Sequence, residues 1–562
     1  MVDMSILFLL AVLMLRGFVL EGYLISTGSM APGLLGLHHH VRCPSCQTEF
    51  ALGVTFDESA DSNDAESANQ RTAWCPNCGQ PAIRMQSVPL THGDQLLVHK
   101  GVFDLRSLQR WEAVVFRNPA SPGEAYVKRA VGLPGEQIQI INGDVFIDGQ
   151  ITRKPLSMQR QMMIPVYDSS HRPAGGEWVD PFATESGWQI DGPGYRFDLP
   201  SESSSDRSPA ALTEDTVHWL PFRFWRRSGG LHVTEVSLPE AAAKQDWPTC
   251  VANLQDRPVT WLTRLNYDRS AGVLRIQGVM PDRMQEDLVQ WSSNERFRQA
   301  VYELAARSHL APLTDRYGYN SNVPLPEYPV HDYLLTAQFR WNQNPEDLRL
   351  RMPVADRAVV LVVSVRSRSA ELIDEVAGEV LAATDLKAFQ ADESNRLGVQ
   401  IEMSNFDHAI RVSVDGKEIF PPLAFDPVAP ATIEWSELAP ESRAAYCRSL
   451  LSRQQQLAIG VTGPAVELSR LQLFRDVHYT PGRRQHGIES PAKVPQESVF
   501  VLGDNSPVSS DSRSWPEPFV AKRLLVGKPF IVHLPSRPGK LTVGGWELPI
   551  RIPDVRRIRY IR

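Results

Sequence analysis

Positive charge is in short supply across the 562 residues, where 58 Lys and Arg stand against 65 Asp and Glu for a formal net charge of −7. That balance excludes a general nucleic-acid binder, whose phosphate contacts call for a basic face. The local exception is Arg551, Arg556, Arg557, Arg559 and Arg562, interleaved with Ile558, Tyr560 and Ile561. The pattern predicts a last strand with one solvated face, which can also touch anionic lipid. A basic start is missing too: Met1 to Met4 hold no Lys or Arg, and Glu21-Gly22-Tyr23 is a poor cleavage site, which disfavours a removed secretory signal. What the start does hold is an apolar run, Met4 to Leu20, broken only by Ser5, Arg16 and Gly17. As a helix it covers roughly 25 Å, a marginal membrane span, and it reads as a retained anchor. Charge placement gives no help with its orientation. At 42% hydrophobic the chain can bury several cores and should divide into domains.

Cysteine is scarce, with six residues, but four of them form two CPxC knuckles, Cys43-Pro-Ser-Cys46 and Cys75-Pro-Asn-Cys78. At this spacing consecutive thiolates turn onto one tetrahedral ion, so structural zinc is the favoured reading, with no open position for water. Two disulfides are the alternative, which a location outside the cytoplasm would favour. Asp57 to Asn69, between the knuckles, reads as a flexible tip. His38, His39 and His40 could add a ligand but read as a solvated loop, and Cys250 and Cys447 as buried apolar residues.

Downstream, alternation predicts strands over Gln95 to Val98, Glu112 to Arg117 and Ala125 to Val131, with hairpin signals at Asn142-Gly143 and Asp148-Gly149. Trp188 to Arg307 is poorly patterned: Ser201 to Pro209 reads as linker, and only Met284 to Ala306 as a helix. From Tyr317 to Thr480 strand follows strand, at Leu334 to Trp341, Ala358 to Val365, Gly398 to Met403, His408 to Phe420, Leu457 to Thr462 and Val466 to Tyr479. This predicts a β-sandwich, with helical material near Ala370 to Leu386. Beyond His486 the first β region resumes, so the sandwich reads as an insertion.

A serine hydroxyl becomes a nucleophile when a base that is neutral at working pH takes its proton. Lysine qualifies only where apolar burial disfavours its ammonium form. Lys128, in Ala125-Tyr126-Val127-Lys128-Arg129-Ala130-Val131, is such a candidate, although most lysines are solvated surface residues.

Four segments in this order, "STGSMAP", "GDQLLVHK", "YVKRAVGLPGE" and "GDNSPVSSDSR", resemble type I signal peptidases, the membrane-bound Ser-Lys endopeptidases of the S26 family. The resemblance implies Ser29 as nucleophile and Lys128 as general base. It implies an oxyanion site of the Thr27 hydroxyl, where the family commonly has Ser, and the Ser29 backbone N–H. It implies Ser509 as the hydroxyl that holds the lysine amine, with Asp511 and Arg513 as a supporting ion pair and Asp504 paired with Arg129. Ser506-Pro507-Val508 departs from the family pattern, and Ser506 reads as a linker residue. The implied reaction is acyl transfer with no catalytic cofactor. The implied substrates are signal peptides of exported preproteins, paired as an added strand. The implied location is the cell (inner) membrane, single-pass, with the catalytic domain on the extracytoplasmic side. Membrane lipid is a partner and nucleic acid is not.

The expected fold is mainly β: an N-terminal membrane helix and a signal-peptidase-type antiparallel domain interrupted by a zinc-ribbon-like insertion and a large sandwich. The expected layout is a transmembrane anchor at 1–21, catalytic parts at 22–42, 83–165 and 483–562, a zinc-ribbon-like insertion at 43–82, an irregular region with a helix at 166–314, and the sandwich at 315–482. The sandwich resembles concanavalin or laminin-G-like jelly rolls, and its ligand is unknown. Two rivals remain. One is a weak or inactive homologue that binds through its sandwich; the other is a self-cleaving repressor, which would carry a helix-turn-helix where this chain has an apolar run.

Overall fold

The computed structural model describes residues 19–54, 72–85, 88–175, 178–184, 187–198, 216–230, 232–321, 323–386, 395–427, 434–452, 455–481, 485–543 and 546–561. The expected anchor lies almost wholly outside them, as do the Asp57 to Asn69 tip and the Ser201 to Pro209 linker. Among the described residues, no helix is long and apolar enough to cross a membrane.

The fold is mainly β. One antiparallel sheet runs in the order Leu20–Leu24, Gln95–Lys100, Leu525–Val532, Ala113–Arg117, Ala125–Gly132, Ser498–Leu502, Phe519–Ala521, and Arg559–Tyr560 pairs with Leu525–Val532. Ala125–Gly132 is therefore a central strand, paired on one side as Val114 to Lys128 and on the other as Leu502 to Arg129. Its side chains from Lys128 to Gly132 are all buried, which explains an apolar run on both sides of two charged residues. The basic C-terminal segment does end as a short strand, with Arg559 and Tyr560 exposed. The hairpin signals close as expected: Asn142-Gly143 and Asp148-Gly149 take positive φ in tight turns beside Gln137–Ile141 and Asp144–Ile147.

Two further antiparallel sheets share one apolar core. One is built around Val466–Arg475, Tyr333–Trp341 and Asn395–Ser404, the other around Ala458–Thr462, Asp347–Val354 and Arg357–Ser364. Both recruit strands from the region expected to be irregular. Ile164–Asp168 and the hairpin Trp188–Asp191 with Gly194–Phe197 join the first, and His218–Pro221 joins the second. These strands are four or five residues long and punctuated by Gly and Pro, too short for alternation to reveal.

Residues 233–308 also depart from expectation by forming a unit with its own core. A three-stranded sheet of Val233–Ser237, Val273–Gln277 and Leu265–Asp268 packs with helices Glu240–Leu254, Val259–Arg264, Asp282–Trp291 and Glu295–Ser308. The single helix expected over Met284 to Ala306 is thus two. The break is local chemistry: buried Asp246 accepts from the Ser292 hydroxyl at 2.7 Å and from Asn294 N–H at 3.1 Å, and the Asn294 side chain caps the second helix. The helical material expected at Ala370 to Leu386 is instead the strand pair Ser369–Asp374 and Val380–Asp385, joined at Asp374 to Gly378. Alternating burial in the first strand is the signal that helix propensity obscured.

Candidate active site

The first strand, Leu20–Leu24, pairs from Leu20 with His99 to Leu24 with Gln95, so the chain leaves the sheet at Ile25. Ile25 N–H donates to the Asp94 carbonyl at 2.9 Å. The loop that follows is tied back twice more: Leu37 N–H donates to the Ser26 carbonyl at 3.1 Å, and Leu35 N–H to Asp94 Oδ2 at 2.9 Å. Asp94 of "GDQLLVHK" thus acts as a clamp on "STGSMAP". Ser29 sits within this loop, with Thr27 Oγ1 3.5 Å from its Oγ.

Lys128 and Arg129 are neighbours on a strand and so point to opposite faces. Lys128 is 3% exposed and its Nζ donates to Ser509 Oγ at 3.1 Å. Burial pushes its amine down to about 8, against the opposing pull of the Asp511 and Asp504 carboxylates and with help from the Arg513 guanidinium. On the other face Arg129 Nε donates to Asp504 Oδ1 at 2.7 Å. The partner strand explains that pair. Leu502 lies opposite Arg129, so the turn at Gly503-Asp504-Asn505 begins beside the guanidinium.

That turn also reaches the serine loop. Asn505 N–H donates to the Ser29 carbonyl at 3.0 Å, and Asn505 Nδ2 donates to the Gly28 carbonyl at 2.9 Å. Gly503 is squeezed between the two serines: a Cβ there would lie 2.2 Å from Ser509 Oγ and 2.5 Å from the Ser29 carbonyl oxygen. Glycine is required at 503 by this close approach. Ser29, Thr27 and Lys128 line one cavity of about 590 Å³, together with Tyr23, Ile25, Leu96, Val115 and Val127. Its apolar walls supply the desolvation felt by the amine.

Asp511 and Arg513 form a fully buried pair, 0% and 1% exposed, with Nη2 to Oδ2 at 2.7 Å. Asp511 Oδ2 also accepts from Gly503 N–H at 3.0 Å, so the pair buttresses the turn that holds Ser29. Ser506 is no linker residue. It is 4% exposed, and its hydroxyl accepts from Thr480 N–H at 2.8 Å and from Arg513 Nη1 at 2.7 Å. Reading Ser506-Pro507-Val508 as a departure from a pattern hid this role, since nothing local marks a serine that serves a distant arginine.

The four knuckle cysteines are unpaired by disulfide and buried, with Cys43 Sγ 3.7 Å from Cys78 Sγ and Cys46 Sγ 3.5 Å from Cys75 Sγ. A Zn–S bond of about 2.3 Å places the sulfurs of a tetrahedron roughly 3.8 Å apart, so the donor set fits such an ion. All four sulfurs fall within 4.8 Å of one another. Each knuckle turns back on itself, with Gln47 N–H donating to the Cys43 carbonyl and Gly79 N–H to the Cys75 carbonyl, both at 3.0 Å. The three histidines are not a solvated loop. His38–Arg42 is a strand paired with Glu49–Gly53, and His38 is buried with Nδ1 2.8 Å from the Gly36 carbonyl oxygen. Cys250 and Cys447 are buried as expected.

A part-buried serine hydroxyl, a buried lysine amine and two buried ion pairs come together beside the antiparallel sheet. The family model described as "Signal peptidase, peptidase S26" matches residues 80–182 and 452–534, about a third of the chain. Lys128 and Arg129 fall in the first matched segment and Asp504, Ser509, Asp511 and Arg513 in the second, while Ser29 precedes both. The chain is 35% identical over 66 residues to a signal peptidase I of Bacillus caldolyticus, covering 12% of this chain and 35% of the relative. It is 38% identical over 65 residues to a signal peptidase I of Leptolyngbya laminosa, covering 10% and 32%. It thus spans about a third of the length of these curated relatives. Among solved structures, the carbohydrate-binding module CBM66 from Bacillus subtilis shares 8% identity over 26% of this chain and 81% of that chain, with a TM-score of 0.18, too low to define a common fold.

Proposed function

We propose that the protein is a membrane-bound Ser-Lys endopeptidase that removes N-terminal signal peptides from exported preproteins. The observation that carries this reading is Lys128: a buried amine with its ammonium form disfavoured, held by Ser509 in the cavity that also contains Ser29. Lys128 takes the Ser29 proton, Ser29 attacks the scissile carbonyl, and the Thr27 hydroxyl with the Ser29 N–H receives the oxyanion. The adduct collapses with cleavage of the C–N bond, the Lys128 ammonium gives its proton to the departing amine, and the lysine amine, neutral again, activates the water that hydrolyses the acyl-enzyme. The strand Ala125–Gly132 and the segment Tyr23 to Ser29 flank the cavity, so an extended peptide can lie between them as an added strand. Membrane attachment through Met4 to Leu20 is part of the proposal and is supported by the apolar run ahead of the first strand. We read the two sheets with a shared core as the inserted β-sandwich.

The test is cleavage of a synthetic precursor peptide by the purified full chain across neutral to alkaline pH. Because the base must be neutral, kcat/KM should rise with pH and level off above about 8, the value to which burial brings Lys128. Absence of cleavage at every pH would reject the activity.

The proposed zinc at Cys43, Cys46, Cys75 and Cys78 would be structural, stiffening the chain just after the serine loop. Chelation under mild denaturant should release stoichiometric zinc, expose these thiols to titration and lower Tm by several degrees. Purified protein without metal and with those thiols already lost would instead indicate disulfides.

A further inference from the structure

The serine loop is touched by a segment that belongs to neither the catalytic strands nor the knuckles. Asp315 and Tyr328 pinch the base of a loop: Asp315 N–H donates to the Tyr328 carbonyl at 2.9 Å and Tyr328 N–H to Asp315 Oδ1 at 2.8 Å. This loop leads from the four-helix unit into the two-sheet body, yet its tip enters the catalytic domain. Tyr317 Oη donates to the Ala31 carbonyl at 2.9 Å and Tyr319 Oη to the Leu37 carbonyl at 3.3 Å, spanning the serine loop. Tyr319 lies so close over Gly28 that a Cβ there would meet its ring at 2.3 Å. Asn320, 8% exposed, exchanges two hydrogen bonds with Asn505: its Nδ2 donates to Asn505 Oδ1 at 2.7 Å and its Oδ1 accepts from Asn505 Nδ2 at 3.0 Å. Tyr319, Asn320 and Val323 line the same cavity as Ser29 and Lys128.

We infer that the inserted region completes the active site, with Asn320 as a positioning residue that orients Asn505 and, through it, the backbone of Gly28 and Ser29. The inference rests on the peptidase reading for its catalytic consequence, but the contact chain does not. Asn505 is fully buried and has one side-chain amide to share. Its Nδ2 serves both the Gly28 carbonyl and Asn320, and its Oδ1 accepts from Asn320. Without Asn320, that oxygen is a buried acceptor with no partner, and the amide is free to rotate away from Gly28. Displacing a nucleophile by a fraction of an ångström lowers turnover far more than substrate affinity. The knuckles brace the loop from behind, where the Arg316 guanidinium stacks 4.3 Å from the centre of the Trp74 ring, next to Cys75.

Asn320→Ala and the isosteric Asn320→Asp should each lower kcat for precursor cleavage about 10- to 100-fold, with KM within about twofold of the unaltered chain. Both should raise hydrogen exchange at the Asn505 amide, which donates to Ser29, while the core strand Tyr333–Trp341 keeps its protection. The aspartate variant matters because it preserves volume yet cannot donate to Asn505. Unchanged kcat in both variants, or an Asn505 amide that exchanges as before, would overturn the inference. If the unaltered chain cleaves no precursor while both variants still free the Asn505 amide, the peptidase reading falls and the positioning contact stands.

Discussion

Lys128→Ala should lower kcat for precursor cleavage by about 10³-fold or more, and Ser29→Ala should do the same, because in the proposed mechanism each removes one half of a single proton-transfer step. The double variant should be no worse than either single one, since residues that act as a unit lose their effect together. Lys128→Arg should fail equally: a guanidinium keeps its proton in any protein environment and cannot serve as a base. The lysine side chain is almost fully buried and its Nζ donates to Ser509 Oγ. Truncating it removes an amine whose ammonium form burial disfavours, and folding should survive. Single-turnover cleavage with acid quench, beside thermal melts of each variant, is the measurement. Full turnover by folded Lys128→Ala would place the base elsewhere.

The residues of the candidate site could be singled out in the sequence because they lie in short segments that together resemble a known family. Ser29, Lys128 and Asp504 each sit in a short segment whose turn or strand character is written in adjacent residues, and the structure brings those segments together across 375 residues between Arg129 and Asp504. The two knuckles were legible locally: two residues of spacing suffice to aim two thiolates. What stayed hidden depends on contacts that no local pattern encodes. Ser506 matters through Thr480 and Arg513, and Asn320 matters through Asn505, 185 positions away. The strands at Gly194–Phe197 and His218–Pro221 are too short to carry a period and exist because longer strands offer them an edge. The split at Ser292 to Asn294 was masked because apolar spacing runs through it, while Asp246 in another helix supplies the hydrogen bonds that stop the first helix.

Asp511→Asn should weaken the fold and yet make Lys128 a base at lower pH. Burial opposes charge on Asp511, but the Arg513 guanidinium outweighs it and holds the carboxyl below its ordinary range. Such a group contributes stability above the ordinary carboxylate pKa, and that stability is lost as pH falls through the depressed value. The asparagine keeps an oxygen for Gly503 N–H but leaves Arg513 a buried cation without its counter-ion, a change that costs about 3–5 kcal/mol. Denaturant unfolding at neutral pH should show that loss, and it should shrink under strongly acid conditions where the aspartate is itself protonated. At the active site the sign reverses. The Asp511 carboxylate raises the Lys128 amine and Arg513 lowers it. Deleting the carboxylate therefore leaves the amine with Asp504 as its remaining anionic neighbour against Arg513, and its ammonium form becomes still less favourable. The rising limb of kcat/KM should move below about 8, while the plateau falls because the Gly503 turn that holds Ser29 is less firmly supported. A limb that stays in place, or moves to higher pH, would mean that the charge pair does not act on Lys128 and that burial alone sets its basicity.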